Sequence, residues 1–367
     1  RLLEMLLKGF LIFFLIDGIC AVSTIQVNGI SHFVLSSELP AGGNRTFEFD
    51  QPMLLFVSKH DSNQKYDSNI RIIDDKTGLK MTVWAAAQSS LPGGTKKEVF
   101  IEGRTSITIN NFNEHAFDDT LFPAIFYFVD ESIGASVYEA TEIIERRKMR
   151  AGDNSTLTLM SATMAIAVFD FKFPKDSSLR LTAGGASEVQ SEKHELITFD
   201  DSIGDSFSFV NVPLPVVTLT SNEMEAFQIS VSTKQAERSM APIGVRTLVM
   251  SPGYPFENIA SKDRKYSFKL EKSAHIKVDY VGTMRMASSS LEVIGSDHKG
   301  KQVYEQKFDS KSWANRTMNA TFVAETISVD IKHSVGSPVG VLVRIYTSAS
   351  STLSIASLIL LSILRLM

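Results

Sequence analysis

Apolar residues in this chain hold a period of two, in short runs, and no period of 3.6 persists for more than two turns in its first third. Tyr266-Ser-Phe-Lys-Leu270, Ile276-Lys-Val-Asp-Tyr280 and Val341-Leu-Val-Arg-Ile-Tyr346 show the pattern near the C-terminus. Alternation sends successive side chains to opposite faces of a strand, so such runs bury one face and wet the other. Earlier runs are Phe47-Glu-Phe49, Ile70-Arg-Ile-Ile73, Leu79-Lys-Met-Thr-Val-Trp84, Val99-Phe-Ile101, Ser106-Ile-Thr-Ile109 and Ala124-Ile-Phe-Tyr-Phe-Val129, while Met53-Leu-Leu-Phe-Val57 is a compact run of the fully buried type. Gly, Pro, Asn and Asp separate them, as in Asp74-Asp-Lys-Thr-Gly78 and Leu91-Pro-Gly-Gly94. Short β-branched and aromatic runs with turn residues between them predict an all-β chain of antiparallel sandwiches.

The order of runs repeats. Phe47-Glu-Phe49 answers Tyr266-Ser-Phe268, the run at 53–57 answers 276–280, and those at 70–73, 106–109 and 124–129 answer 291–294, 327–331 and 341–346. A middle stretch, from Ala165-Ile-Ala-Val-Phe-Asp-Phe171 to Phe227-Gln-Ile-Ser-Val231, follows the same order less closely, with Gly184-Gly185 and Pro213-Leu-Pro215 as breaks. Repetition at this length means tandem domains, and 367 residues accommodate two or three. The expected organisation is a leader at 1–23, a first sandwich at 24–140, a linker at 141–154, a second sandwich at 155–240, a third at 245–347 and a tail signal at 348–367. Within the linker, 142–150 is the one segment that could form a short helix, and Arg147-Lys-Met-Arg150 has the minimal spacing of a basic processing site. Charge runs are more often solvated, which favours the plain linker.

Both ends carry address signals. Arg1 and Lys8 flank the short apolar core Phe10-Leu-Ile-Phe-Phe-Leu-Ile16, and Ala21-Val-Ser23 places small residues for cleavage after Ser23. Cys20, the single cysteine, would leave with this leader. Each unit must then hold by core burial alone, and thiolate nucleophiles and metal sites drop out. At the other end, 353–367 would reach about 22 Å as a helix, short of the roughly 30 Å hydrocarbon core. Ser348, Ala349 and Ser350 offer small residues for lipid attachment ahead of the apolar tail, so a GPI signal is favoured over a short transmembrane span. Asn44, Asn154, Asn315 and Asn319 each begin an N-glycosylation sequon, all at polar joins.

Ser251-Pro-Gly-Tyr-Pro255, an aromatic strand after it, and then Leu291-Glu-Val-Ile-Gly-Ser-Asp297 resemble the opening turn and a later strand end of the CUB domain. The layout of leader, cysteine-poor β-units, sequons and apolar C-terminus is similar to the nematode CUB-like family. The explicit motif covers roughly the last hundred residues before the tail. The resemblance implies jelly-roll sandwiches, an extracellular non-catalytic recognition role and a link to host defence. The chain departs from the pattern in lacking disulfides. It also departs at the calcium site many CUB domains carry: the corresponding neighbourhood, Met284-Arg-Met-Ala-Ser-Ser-Ser290, holds no carboxylate. Asp279 and Asp297 alone cannot supply the oxygen ligands calcium needs, so no metal is expected.

Other chemistry is weak. Gly204-Asp-Ser206 matches the start of a hydrolase nucleophile block, but a serine nucleophile needs a histidine base and an oriented acid. His194 is the nearest histidine in sequence, and Ser206 opens an alternating run that explains it as strand. The histidines at 32, 60, 115, 194, 275, 298 and 333 show no zinc-type i, i+4 pair. Asp118-Asp119 and Asp200-Asp201 read as turn residues; Trp84 reads as a partly buried sheet position and Trp313 as a residue under a glycan. A net charge of −4 gives no footprint for nucleic acid. The expectation is a glycosylated, lipid-anchored cell-surface array that binds protein or glycan, with no cofactor. A serine ectohydrolase using Ser206 and a structural coat protein are the alternatives.

Overall fold

The computed structural model describes residues 23–59, 68–74, 78, 80–88, 106–113, 124–130, 136–140, 145–148, 155–172, 177–189, 191, 194–200, 209–221, 227–233, 246–251, 254–256, 263–282, 289–309, 318–332 and 340–349. Its regular structure is almost entirely strand, arranged as tandem β-sandwiches that are antiparallel except where the strands at 23–27 and 136–139 pair in parallel with those at 44–49 and 155–160.

In the first unit, β1 (Ser23–Val27), β3 (Asn44–Phe49), β5 (Ile70–Asp74), β6 (Lys80–Thr82) and β7 (Ser106–Asn111) form sheet A, in the order β1-β3-β7-β5-β6. Sheet B runs β2-β8-β4, from β2 (Ser31–Leu35), β8 (Ala124–Asp130) and β4 (Met53–Lys59). Alternation assigns the faces. On sheet A, Phe47, Phe49, Ile70, Ile72, Ile107 and Ile109 point inward and are buried. On sheet B, Met53, Leu55, Val57, Phe126 and Phe128 meet them in one core.

The other face of sheet B is apolar too. Phe33, Leu35, Leu54, Phe56, Ile125, Tyr127 and Val129 pack against Val137, Met160, Ala162 and Val216, which belong to the next unit. An antiparallel sheet usually wets one face. Here β4 and β8 are buried along six consecutive residues each, which is why their runs lack polar alternation.

In the second unit, β9 (Ser136–Glu139), β11 (Ser155–Met160), β13 (Ser178–Ala183), β14 (Glu195–Asp200) and β16 (Val216–Ser221) form sheet C, in the order β14-β13-β16-β11-β9. Sheet D runs β10-β17-β12-β15 and comprises β10 (Glu145–Lys148), β12 (Ile166–Lys172), β15 (Phe209–Val212) and β17 (Gln228–Ser232). Leu157, Leu159, Leu179, Leu181 and Leu219 of sheet C close on Ile166, Val168, Val212, Ile229 and Val231 of sheet D. Thr158, Thr182 and Thr218 lie on the opposite side of sheet C at 0% exposure, with Thr158 and Thr218 joined through their Oγ1 atoms at 3.1 Å. Sheet B is therefore buried on both faces and sheet C on its second face only around these threonines, since Arg180 further along that side is exposed; sheets A and D lie outside them.

The third unit is one six-stranded sheet, E, ordered β18-β23-β19-β22-β20-β21. Its members are β18 (Arg246–Met250), β19 (Arg264–Gly282), β20 (Ser290–Ser296), β21 (Gln302–Asp309), β22 (Met318–Lys332) and β23 (Val341–Ala349). Runs that read as separate strands in the sequence, at 266–270 and 276–280, are halves of β19; those at 321–323 and 327–331 are halves of β22. The register shifts between Lys269 and Ala274, and there the sheet turns over a core of Leu270, Ile276, Val278, Leu291, Val293, Val329 and Val343. In the first unit Pro52 separates the matching runs into β3 and β4 of different sheets, whereas Glu271-Lys-Ser-Ala-His275 holds no breaker and the strand runs on.

Two local readings differ from expectation. Residues 145–148, expected as linker with a short helix at most, pair with β17 as the edge strand β10. Edge strands accept charged side chains, so the charge run hides the strand. The expected strand at 79–84 stops at Thr82 and becomes helix α1 (Val83–Gln88). The Ala85 N–H donates to Thr82 Oγ1 at 3.2 Å, an N-cap contact, while Val83, Ala86 and Ala87 face the core at helical spacing. Trp84 is consequently a half-buried helix residue with Lys59 Nζ 4.2 Å from its ring, and not a sheet position.

Substitutions on the two faces of β8 test the two contacts separately. Phe128→Ala empties the first core and should destabilise by about 3–5 kcal/mol. Tyr127→Phe removes only a hydroxyl and should cost about 1–2 kcal/mol. Urea unfolding followed by fluorescence checks both; a cost below about 1 kcal/mol for Phe128→Ala would contradict its place in the first core.

Candidate functional site

The junction of the three units gathers a cluster of buried polar groups, and it is built on the double-faced sheet B. Ser31 at the start of β2 and Ser187 in the 3-10 turn Ala186–Glu188 bond to each other reciprocally. Ser31 N donates to Ser187 Oγ at 2.7 Å, Ser187 N to Ser31 Oγ at 2.8 Å, and Ser187 Oγ to Ser31 O at 2.7 Å. Beside them Ala186 N donates to Tyr127 Oη at 3.0 Å. Gly185 permits this approach: a Cβ there would fall 2.5 Å from Tyr127 Cε2 and 2.8 Å from Ser31 Oγ. Burial pushes the Tyr127 phenol up, so it stays a neutral hydrogen-bonding group.

The segment that opens the third unit closes the junction. Ser251 N donates to Val341 O at 2.9 Å, Val341 N returns a bond to Ser251 Oγ at 2.9 Å, and Tyr254 N donates to Ser251 O at 3.2 Å. Tyr254 is buried in the core of the second unit with Leu248, Met250 and Leu342. Gly340 lies against it, where a Cβ would sit 2.3 Å from Tyr254 Cδ2. Phe256 then reaches all three units. Its ring meets Phe33 edge-on at 5.1 Å and stacks on His194 at 5.4 Å. Arg344 of β23 adds bonds from Nε to Leu196 O at 3.0 Å and from Nη2 to Glu195 O at 3.2 Å, covering the free edge of β14.

Glu188 is the titratable group enclosed here. Burial raises its carboxyl from the ordinary 4.5 to about 7, against the opposing pull of the Gly185 and Glu188 backbone N–H groups. Tyr127 is the ionisable group that faces it from sheet B, and His194 lies across the Phe256 ring.

The residues singled out in the sequence are not gathered into one site. Asn44 begins β3 and Asn319 stands exposed near the start of β22 opposite Asp279, while Asn154 and Asn315 lie outside the described residues. Ser348 and Ala349 end β23 in register with His275 and Ala274; Ser350 lies outside the described residues, as do Ser206, Trp313 and the leader through Val22. Asp297 is half-buried by surface area, with Oδ1 accepting the Lys299 and Lys301 N–H groups at 2.8 and 2.9 Å; these bonds hold its carboxyl below the usual range. Asp279 pairs with Lys277 at 3.5 Å. Among the described residues no group of three or more His, Cys, Asp or Glu is placed to hold a metal ion, and no helix is long and apolar enough to cross a membrane. Sequence reasoning missed Ser31, Ser187, Glu188 and Phe256; the adjacent Gly184-Gly185 pair was the one available signal.

No protein-family model and no curated protein sequence matches the chain. Solved structures do show a likeness. The CUB1-EGF-CUB2 domains of rat MASP-1 align over 57% of this chain and 99% of their own, at 9% identity and a TM-score of 0.21. The same domains of human MASP-1/3 align over 57% and 94%, at 8% identity and a TM-score of 0.23. The triple jelly roll of an archaeal virus turret spans 88% of this chain and 82% of its own, at 8% identity and a TM-score of 0.17. At such scores these likenesses assign neither family nor function.

Glu188 makes the junction sensitive to pH. Its folded value lies above the unfolded one, so its contribution is complete below about 4.5 and is lost as pH rises through about 7. Thermal unfolding of the wild type should therefore move to lower temperature between pH 5 and 8. Glu188→Gln should flatten that change and melt higher than wild type at pH 8. An unchanged slope in the variant would remove Glu188 from this role.

Proposed function

We propose that the chain is a non-catalytic recognition protein of the extracellular surface, presenting joined β-sandwiches to a protein or glycan ligand. The observation that carries this reading is the junction itself. Ser31–Ser187, Tyr127 and Phe256 bind the units to one another through buried contacts, so their outer faces keep fixed relative positions. A ligand that spans such faces does not have to order flexible domains, which saves binding free energy. The leader at 1–23, the sequons and the small residues 348–350 ahead of an apolar tail support secretion and attachment by a GPI anchor. The outer face of sheet A supports a ligand-facing role: half-buried Thr46 and Thr108 and exposed Arg71 present hydroxyl and guanidinium groups there. Host defence, implied by the CUB-like resemblance, is the narrower form of the proposal.

Probing an array of glycans and microbial surfaces with the full chain tests the reading. A small set of selective hits is expected. Uniform absence of selective binding would favour a structural coat, and hydrolysis of ester substrates lost on Ser206→Ala would favour an enzyme.

A further inference from the structure

The outer face of sheet A holds a group of side chains that the fold does not require. Asn44 on β3 lies directly opposite Asn110 on β7, and two residues on, Thr46 and Thr108 share a hydrogen bond between Oγ1 atoms at 2.8 Å. That bond fixes these side chains on one side of the sheet, since Phe47, Ile107 and Ile109 are buried on the other. Phe112, two positions beyond Asn110, falls on the same outer side and is 53% exposed. Arg71, opposite Asn110 on β5, sets its guanidinium 5.1 Å from the Phe112 ring. Phe112 N continues the ladder to Asn69 O at 2.9 Å, and the flanking Asn113 bonds through its side chain to Asn69 and Asn111, so the ring has a fixed seat. Asn110 Oδ1, although on this side, is buried beneath its neighbours, so Phe112 and Arg71 are what the face presents.

We propose that an N-linked glycan on Asn44 lies across this face, with its first N-acetylglucosamine packed on the exposed Phe112 ring beside Arg71. The proposal rests on the reading of the chain as a secreted glycoprotein. The linkage forms when Asn44 Nδ2 bonds to the anomeric carbon of a lipid-pyrophosphate-linked oligosaccharide. The anomeric C–O bond breaks, the lipid pyrophosphate leaves with the electron pair, and Nδ2 gives up one proton. Diagonal neighbours in an antiparallel pair stand about 7–8 Å apart, so Phe112 is within reach of a sugar rooted at Asn44. One face of a pyranose presents C–H groups, which the negative face of an aromatic ring attracts. Arg71, exposed beside the ring, offers donors to the hydroxyls of the sugar. Asn319 differs in this respect: its cross-strand neighbour is the carboxylate of Asp279.

The test uses the full chain secreted from a glycosylating host. Peptide mapping by mass spectrometry reads occupancy of Asn44, and thermal unfolding compares wild type, Asn44→Gln, Phe112→Ser and the double variant. Asn44 should be occupied, and Phe112→Ser should lower the midpoint by about 2 °C or more with the glycan present and far less in the Asn44→Gln background. Amidase should also release the Asn44 glycan several-fold faster from native Phe112→Ser than from wild type. A bare Asn44 would overturn the glycoprotein premise at this site. An occupied Asn44 with equal Phe112→Ser effects in both backgrounds and unchanged release would overturn the packing alone.

Discussion

Burial of sheet B on both faces is the constraint on which the arrangement of the chain depends. Within β8, Phe126 and Phe128 serve the core of the first unit while Ile125, Tyr127 and Val129 serve the contact with the second. One strand thus contributes to two hydrophobic clusters, at about 1.5–3 kcal/mol for each large side chain removed from water. A first unit standing alone would expose the second set as a contiguous apolar patch, of the kind soluble monomers avoid. The first two units are therefore better described as four stacked sheets than as beads on a string.

Polar groups inside that contact set its geometry. The Ser31–Ser187 pair and the Tyr127 hydroxyl satisfy backbone groups that burial would otherwise leave unmatched, and hydrogen bonds have directions that apolar contacts lack. Phe256 extends the joint to the third unit, and Arg344 occupies the edge of β14, where an incoming strand would otherwise pair. The turn at Ser251 therefore does more than begin a domain: with Tyr254 and Phe256 it inserts into the one before it.

Period two made the strands legible where one face is wet. Phe47, Phe49, Ile107 and Ile109 could be assigned to a buried face from sequence, and the structure agrees. The run at 53–57 announced burial but not what buries its second face, because Val137, Met160 and Val216 come from elsewhere in the chain. The joint was illegible for the same reason: Ser31 and Ser187 are 156 residues apart and each is an ordinary serine locally. Helix α1 hid because one and a half turns of Val83, Ala86 and Ala87 are too short a period to detect, and β10 because an edge tolerates its charges. Sequons are visible as tripeptides, yet the relation of Asn44 to Phe112 appears only once the register of β3 and β7 is known.

If sheet B joins the first two units into one folding body, they must unfold together. Calorimetry of the full chain tests this most directly, with the third unit allowed its own transition. The account predicts a single cooperative transition for the first two units, one that Phe56→Ala in their contact shifts as a whole. A first unit that melts in a separate transition, leaving the second folded and unshifted by Phe56→Ala, would contradict it.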